Sequence, residues 1–336
     1  MSVTYLRSIP LLLVLGLSAC SSEHPPAPGI YFWQSDWDFT TQDARLARNT
    51  GFSQLYVRML DIDYDPATGQ PVPRAPVQLP DDLSALDSLT VIPVVYIVNE
   101  VFRHEIAVDI LVDRLLNAVD RLGEGQPSIT EAQRLQIDCD WTPATRDAYF
   151  SFLKEIKDRR PATELSVTVR LHQYRERERN GIPPAYRGLL MCYNMTPVQD
   201  HDTRNAIFDL HLLAGYLNNT ETYPLPLDAA LPLFTWGAAF RDDRFLGLVD
   251  YPEAGAGLLS FPDDRYLVVK DTTVGRLLLR AGDEVRGDGP GDYENLRSAV
   301  QLLRQRDDIE ELLFYDWRPD RLTDYRVANL ITEYYD

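Results

Sequence analysis

Positive charge, sulfur and long apolar runs are all scarce in this 336-residue chain, and each shortage removes a class of function. There are 33 Lys and Arg against 51 Asp and Glu, a formal charge of −18. An acidic chain repels a phosphate backbone, and no basic stripe interrupts the balance, so nucleic acid is excluded as a partner. The three cysteines and five histidines form no cluster at metal-ligand spacing. His172 stands alone, so neither a metal nor another cofactor is implied. No Gly-rich phosphate loop follows the first strand, which argues against a doubly wound dinucleotide fold. A Gly-x-Ser-x-Gly elbow is also missing, so serine-hydrolase chemistry has no support. Internal repeats are absent, and no stretch is long and apolar enough to span a bilayer in the mature chain.

What is present begins with a short apolar run, Leu11 to Leu17, preceded by Arg7 and followed by Ser18-Ala19-Cys20. Its length suits a cleaved signal segment over residues 1–19. The Leu17-Ser18-Ala19-Cys20 ending resembles the bacterial lipobox, which implies a lipid on Cys20 and attachment to a membrane. Ser21 after that cysteine resembles the outer-membrane sorting pattern and implies a place in the bacterial cell envelope. Residues 20–29 form a Pro-rich tether, and residues 30–336 are expected to form one domain. Cys139 and Cys192 alternate with polar or aromatic neighbours and are expected to be buried free thiols facing away from a barrel axis.

Strand-like segments recur along the domain: Ile30–Gln34, Gln54–Leu60, Val91–Val98, Leu135–Thr142, Leu165–Arg170, Gly188–Tyr193, Ala230–Trp236 and Glu311–Tyr315. Most are followed by a helical pattern, among them 41–48, 106–122, 149–156, 205–217 and 293–304. On 106–122, Ile110, Leu111, Leu115, Val119 and Leu122 share a face. Eight strands alternating with helices give an α/β chain and a (β/α)8 TIM barrel. Residues 65–80 read as a Pro/Gly-rich loop. The rhythm breaks over about 241–291, an insertion after the seventh strand. There Tyr266–Lys270 and Arg276–Arg280 look like a strand pair, and Gly287–Gly291 a flexible turn.

In such a barrel the functional face lies at the C-terminal ends of the strands. This sequence places Asp36, Asp61, Asp63, Glu100, Asp138, Asp140, Arg170, His172, Tyr193, Asn194, Trp236, Asp316 and Trp317 there. Carboxylates mixed with Trp and Tyr suit sugar chemistry, because aromatic faces stack on pyranose rings and a carboxyl pair can serve as acid with base or nucleophile. Asp36, Asp38 and Asp63 also fit as helix caps. Arg58 and Arg170 point into the mouth by alternation, with Asp138 and Asp140 as the expected partners. The candidate catalytic residues are Asp138, Asp140 and Glu100. The candidate substrate-binding residues are Trp33, Arg58, Asp61, Arg170, Tyr193, Asn194, Trp236, Asp316 and Trp317.

Ile137-Asp138-Cys139-Asp140-Trp141 resembles the fourth-strand signature Asp-x-x-Asp-x-Asp-x-Glu of the glycoside hydrolase family 18 chitinase-like barrels. Met191-Cys192-Tyr193-Asn194 resembles their sixth-strand Met-x-Tyr-Asp/Asn motif, and Trp317 stands where they often carry a last-strand Trp. Two departures matter: Leu135 occupies the position of the first Asp, and Thr142 that of the catalytic Glu. The resemblance implies that Asp140 positions a substrate acetamido group, while Thr142 cannot act as the acid. Tyr31 to Gln34, Ile137-Asp138-Cys139-Asp140 and Arg146 to Tyr149 resemble an uncharacterised bacterial family, domain of unknown function 3142, which implies a barrel without supplying a reaction. Three functions follow as expectations: a glycoside-hydrolase-like enzyme on a poly- or oligosaccharide, a catalytically inactive carbohydrate-binding barrel, or an envelope-assembly protein with a protein partner at the insertion.

Overall fold

Eight parallel strands close on themselves in the computed structural model, which describes residues 27–336 apart from 87, 219, 220, 253, 254 and 256. The candidate signal segment 1–19, Cys20 and tether residues 21–26 lie outside the described residues. The barrel strands are β1 (Gly29–Phe32), β2 (Gln54–Asp65), β3 (Thr90–Ile97), β4 (Arg134–Asp138), β5 (Glu164–Arg170), β6 (Arg187–Met191), β7 (Leu227–Pro232) and β8 (Ile309–Tyr315). Each pairs in parallel with the next, and β8 returns to β1. The molecule is therefore a (β/α)8 barrel, and closure leaves no edge within the ring. Cys139 and Cys192 are free and buried.

Helices pack outside the ring where local signals start and stop them. Thr40 and Asp43 form a reciprocal capping box for α1 (Thr41–Thr50), and Gly51 ends it at φ 110°. The apolar stripe of α2 (Val108–Leu122) buries Leu111, Val112, Leu115, Leu116 and Val119. Ile110, placed on that stripe by periodicity, is 46% exposed instead. Two further helices, α3 (Arg146–Arg159) and α4 (Leu210–Leu217), follow β4 and β6. Tyr293–Arg304 (α5) precedes β8, and Val327–Tyr335 (α6) ends the described chain after a short helix, Pro319–Asp324.

Three expectations are corrected. Residues 65–80 are not simply a loop: Gln70–Arg74 pairs antiparallel with the extension of β2, Asp61 opposite Arg74 and Asp65 opposite Gln70. The seventh strand starts ahead of the aromatic segment that attracts a strand reading. Its second residue, Asp228, is 1% exposed and is accommodated because Arg187 Nη1 donates to its Oδ1 at 2.6 Å. The insertion begins at about Trp236 and contains two sheets. Its five-stranded antiparallel sheet runs Arg244–Val249, Trp236–Arg241, Glu284–Asp288, Arg265–Val268, Leu258–Ser260, and a separate hairpin joins Thr272–Val274 to Leu277–Leu279. Gly287 belongs to a strand, not a turn; a Cβ there would lie 3.0 Å from the Tyr251 ring.

Charge inside the barrel is concentrated at the N-terminal end, opposite the mouth. Arg187 contacts Glu164 at 2.8 Å and Glu310 at 2.8 Å besides Asp228, and Arg134 meets Glu311 at 3.3 Å. Burial, with Glu311 alongside, raises the Asp228 carboxyl above its ordinary range. An interior salt-bridge network therefore exists, but its members are Arg134 and Arg187 rather than Arg58 and Arg170.

The insertion is docked through charge that water does not reach. Arg286 and Asp288 are both 0% exposed and form a fork at 2.7 and 3.0 Å. Arg286 also donates to the carbonyls of Asp200 (2.7 Å) and Val198 (3.1 Å), while Asp288 accepts from the Ala206 N–H (3.1 Å) and from Trp236 Nε1 (3.0 Å). These bonds fix the insertion to the segment after β6. Removing one partner of a fully buried ion pair strands the other. Arg286→Met is expected to lower stability by about 3–5 kcal/mol, measured by urea unfolding, and to open residues 236–288 to limited proteolysis. A loss under about 1 kcal/mol would show that the pair does not anchor the insertion.

Candidate functional site

The mouth is built from the C-terminal tips of the barrel strands, β1 to β6 with β8, and from the segment after β7. On β4 the alternation that buries Leu135, Ile137 and Cys139 on the outer side turns Gln136, Asp138 and Asp140 inward. Tyr31 Oη donates to Gln136 Oε1, and Gln136 Nε2 donates to Ser166 Oγ at 3.2 Å, which closes the layer beneath the acids. Asp138 is 7% exposed and accepts one bond, from Thr168 Oγ1 at 2.7 Å. Burial pushes its carboxyl up to about 7, and Asp140 adds to the shift. Asp140 is 43% exposed along its side chain, with both oxygens on Arg170: Nε at 2.6 Å and Nη2 at 2.7 Å. Two carboxyls two residues apart thus meet opposite conditions, one buried without a cation and one forked by a guanidinium.

A second fork is carried on β2. Arg58 Nε and Nη2 donate to Asp61 at 2.7 and 2.5 Å, and Nη1 donates to Ser35 Oγ at 2.8 Å. The expected pairing of Arg58 with Asp138 or Asp140 does not form. A β-bulge between Arg58 and Leu60, against β3, turns Asp61 to the same side as Arg58 and supplies the nearer carboxylate. The Arg58 guanidinium also lies 5.8 Å from the Trp33 ring centroid.

Aromatic rings form the floor. Tyr315 stacks on Tyr193 at 4.9 Å and lies 5.4 Å from Trp33, 5.4 Å from Tyr31 and 5.5 Å from Phe234. Tyr96 is opposite Asp138 in the register of β3 with β4, and burial with the two acids raises its phenol to about 12. Tyr193, Tyr31 and Tyr315 are likewise pushed up, by burial first. The phenols stay neutral and remain hydrogen-bond donors. Trp33, Tyr96, Trp236 and Tyr315 are only partly buried, so their faces are available to a ligand.

Asp138, Asp140, Trp33, Arg58, Asp61, Arg170 and Tyr193 are gathered at this mouth, with Trp236 at its rim, 5.2 Å from Phe234. The other candidates are not. Glu100 lies on the short helix Asn99–Arg103, half-exposed, contacting His104 at 3.1 Å and Arg103 at 3.4 Å; His104 stacks flat on Tyr64 at 3.7 Å. Trp317 is 4% exposed and packs on Phe39 at 5.0 Å, outside the floor. Asp316 is buried beside Arg318 at 3.1 Å, with burial raising its carboxyl. Asn194 is exposed at φ 52°, and Cys20 is outside the described residues. Tyr315 and Tyr96 were not singled out from sequence. The period-2 pattern Glu311, Leu313, Tyr315 would have found the first. Tyr96 is hidden in a strand that is apolar almost throughout.

No protein-family model matches the chain, and no curated protein matches it. Solved structures do. The spore cortex-lytic enzyme SleL of Bacillus cereus is 14% identical with a TM-score of 0.55, covering 92% of this chain and 74% of that one. A chitinase from Chromobacterium violaceum is 11% identical with a TM-score of 0.53, covering 92% and 99%. A family GH18 chitinase from Cycas revoluta, in complex with allosamidin, is 12% identical with a TM-score of 0.52, covering 92% and 100%. At these identities the likeness concerns the fold alone, the (β/α)8 TIM barrel that these enzymes share with this chain.

The raised carboxyl of Asp138 has a consequence for stability. Its unfolded value is near 3.8 and its folded value about 7, so between these the folded chain binds the extra proton and stability falls as pH rises. Below about pH 4 the term is absent, and above about pH 7 it is fully present. Asp138→Asn, which still accepts from Thr168, is expected to raise stability at pH 8 by up to about 4 kcal/mol and to change little at pH 4. Thermal unfolding against pH measures this, and a gain independent of pH would contradict it.

Proposed function

We propose that the barrel mouth binds and cleaves a chitin-like or peptidoglycan-type glycan. The observation that carries this reading is the divided carboxyl pair, Asp138 and Asp140, set above a floor of partly open aromatic rings. A carboxyl that keeps its proton near neutrality suits a general acid, and a held carboxylate suits the positive charge that develops at the anomeric carbon. In this reading Asp138 holds the proton, Asp140 faces the reacting sugar, and Trp33, Tyr96 and Tyr315 stack on pyranose rings. The chitinases and the cortex-lytic enzyme that share the fold support a carbohydrate ligand.

A second reading, glycan binding without turnover, is favoured by Thr142. Its Oγ1 lies 3.3 Å from Thr145 Oγ1 in the turn that starts α3, and Thr145 donates to Asn99 Oδ1 at 2.6 Å. A hydroxyl at the position of the family's Glu cannot protonate a leaving oxygen at neutral pH. One experiment separates the readings. Chitin oligosaccharides and peptidoglycan are offered to the purified chain, with product analysis and calorimetry in parallel. Turnover lowered at least about a hundredfold by Asp140→Asn supports cleavage. Binding without product, weakened about tenfold by Trp33→Ala, supports the second reading. Neither binding nor turnover overturns both.

The same proposal places the chain on the bacterial envelope through a lipid on Cys20, in keeping with the Leu17-Ser18-Ala19-Cys20 ending. Cys20→Ser is expected to shift the protein from the membrane fraction to the soluble fraction. An unchanged membrane fraction would reject the anchor.

A further inference from the structure

Outside the ring, the strand Gln70–Arg74 and helix α2 enclose a groove of about 220 Å³. One wall is Leu60, Ile62, Pro71 and Pro73, and the other is Ile110 and Leu115. Ile110 accounts for the misfit noted above: it leaves the core stripe and stands 46% exposed over this groove. Arg114 and Arg121 also line it, two helical turns apart on the same side of α2. No carboxylate lines the groove, although the chain has 51.

The charges of α2 are sorted by direction. Asp113 pairs with Arg159, the last residue of α3, and Asp120 with Arg160 just after it at 2.5 Å. The acids of the helix are thereby drawn to one flank. Arg114 and Arg121 remain on the other, and among the described residues neither has a carboxylate partner. The prolines decide what the groove will not take. The Gln70–Arg74 strand is at the end of its sheet, and an edge strand holds proline with the missing N–H toward its free side. Pro71 and Pro73 therefore offer no donors to an added peptide strand, so β-augmentation is blocked. A ligand that needs no backbone hydrogen bonds fits: apolar along its length and negative at one end.

We propose that this groove binds an aliphatic carboxylate, with the alkyl chain between the proline strand and Ile110 and the carboxylate on Arg114 and Arg121. Its volume admits on the order of seven chain carbons at the roughly 30 Å³ of a water-sized group. A guanidinium fork matches a carboxylate in two parallel bonds.

Titration calorimetry of the full chain with hexanoate, octanoate and decanoate tests the assignment. Affinity is expected to rise about fourfold per methylene until the groove is filled, with one equivalent bound. Octanol should bind at least about tenfold more weakly than octanoate. Arg114→Glu with Arg121→Glu should remove that preference, and Ile110→Asp should abolish binding, while circular dichroism shows all variants folded. Absent binding, equal affinity for octanol, or affinity untouched by these exposed substitutions would each overturn the proposal. The glycan reading of the mouth is independent of this result, because none of these residues lies there.

Discussion

Neutralising carboxylates inside a closed barrel is the constraint on which this structure turns. A buried carboxylate without a partner is expensive, and the protein offers two remedies, a guanidinium or a proton. Arg187 supplies the first to Asp228, and Arg286 to Asp288. Arg58 and Arg170 do the same for Asp61 and Asp140 at the mouth. At Asp61, Asp140 and Asp288 the planar guanidinium fork satisfies both carboxylate oxygens in a fixed orientation, which a lysine ammonium cannot do. Asp138 is the exception at the mouth. Its contact is the Thr168 hydroxyl, and its remedy is to keep its proton. The same lack of a guanidinium makes Asp138 both a burden on the fold above neutral pH and the carboxyl best suited to proton transfer.

This sorting bears on Thr142. In the chitinase-like signature the acid follows the inner pair by two residues, where this chain has Thr142. That threonine is committed to the turn that launches α3, and Trp141 beside it is 1% exposed with Nε1 on the Asn180 carbonyl at 3.0 Å. The segment is therefore shaped for packing immediately after Asp140. The carboxyl whose burial keeps its proton near neutrality lies within the strand instead, at Asp138. The cleaving and binding readings proposed above share the same aromatic floor, because ring stacking on a sugar does not depend on which carboxyl transfers a proton.

The barrel was legible because its strands announce themselves in two ways, as alternating runs and as apolar runs ending in polar tips. The acidic tip of β4 was legible for the same reason: period-2 alternation alone turns Asp138 and Asp140 inward. What escaped depends on contacts distant in sequence. Asp61 turns toward Arg58 because of a bulge, and β7 carries as its second residue an aspartate that looks unfit for a core until Arg187 is seen against it. Trp317 is expected at the site on a motif, yet β8 ends at Tyr315: the strand's alternation carries Tyr315 to the floor and stops short of Trp317, which packs on Phe39. The hairpin at 70–74 was masked by its prolines, which lower strand propensity while suiting an edge.

The insertion follows the seventh strand and so leaves from the face that holds the site, a position that suggests a lid. The docking argues otherwise. Arg286 and Asp288 are closed off from water and bound to five backbone or side-chain partners on the segment after β6 and on Trp236. Moving the insertion would expose two charges and break their shared bonds together, a barrier set by electrostatics and not by loop length. Asp288 meanwhile holds the Trp236 indole at the mouth, 5.2 Å from Phe234, which in turn touches Tyr315. One ion pair thus fixes a rim ring relative to the floor. The insertion acts as a rigid wall of the site, and a ligand has to fit the cleft as it stands.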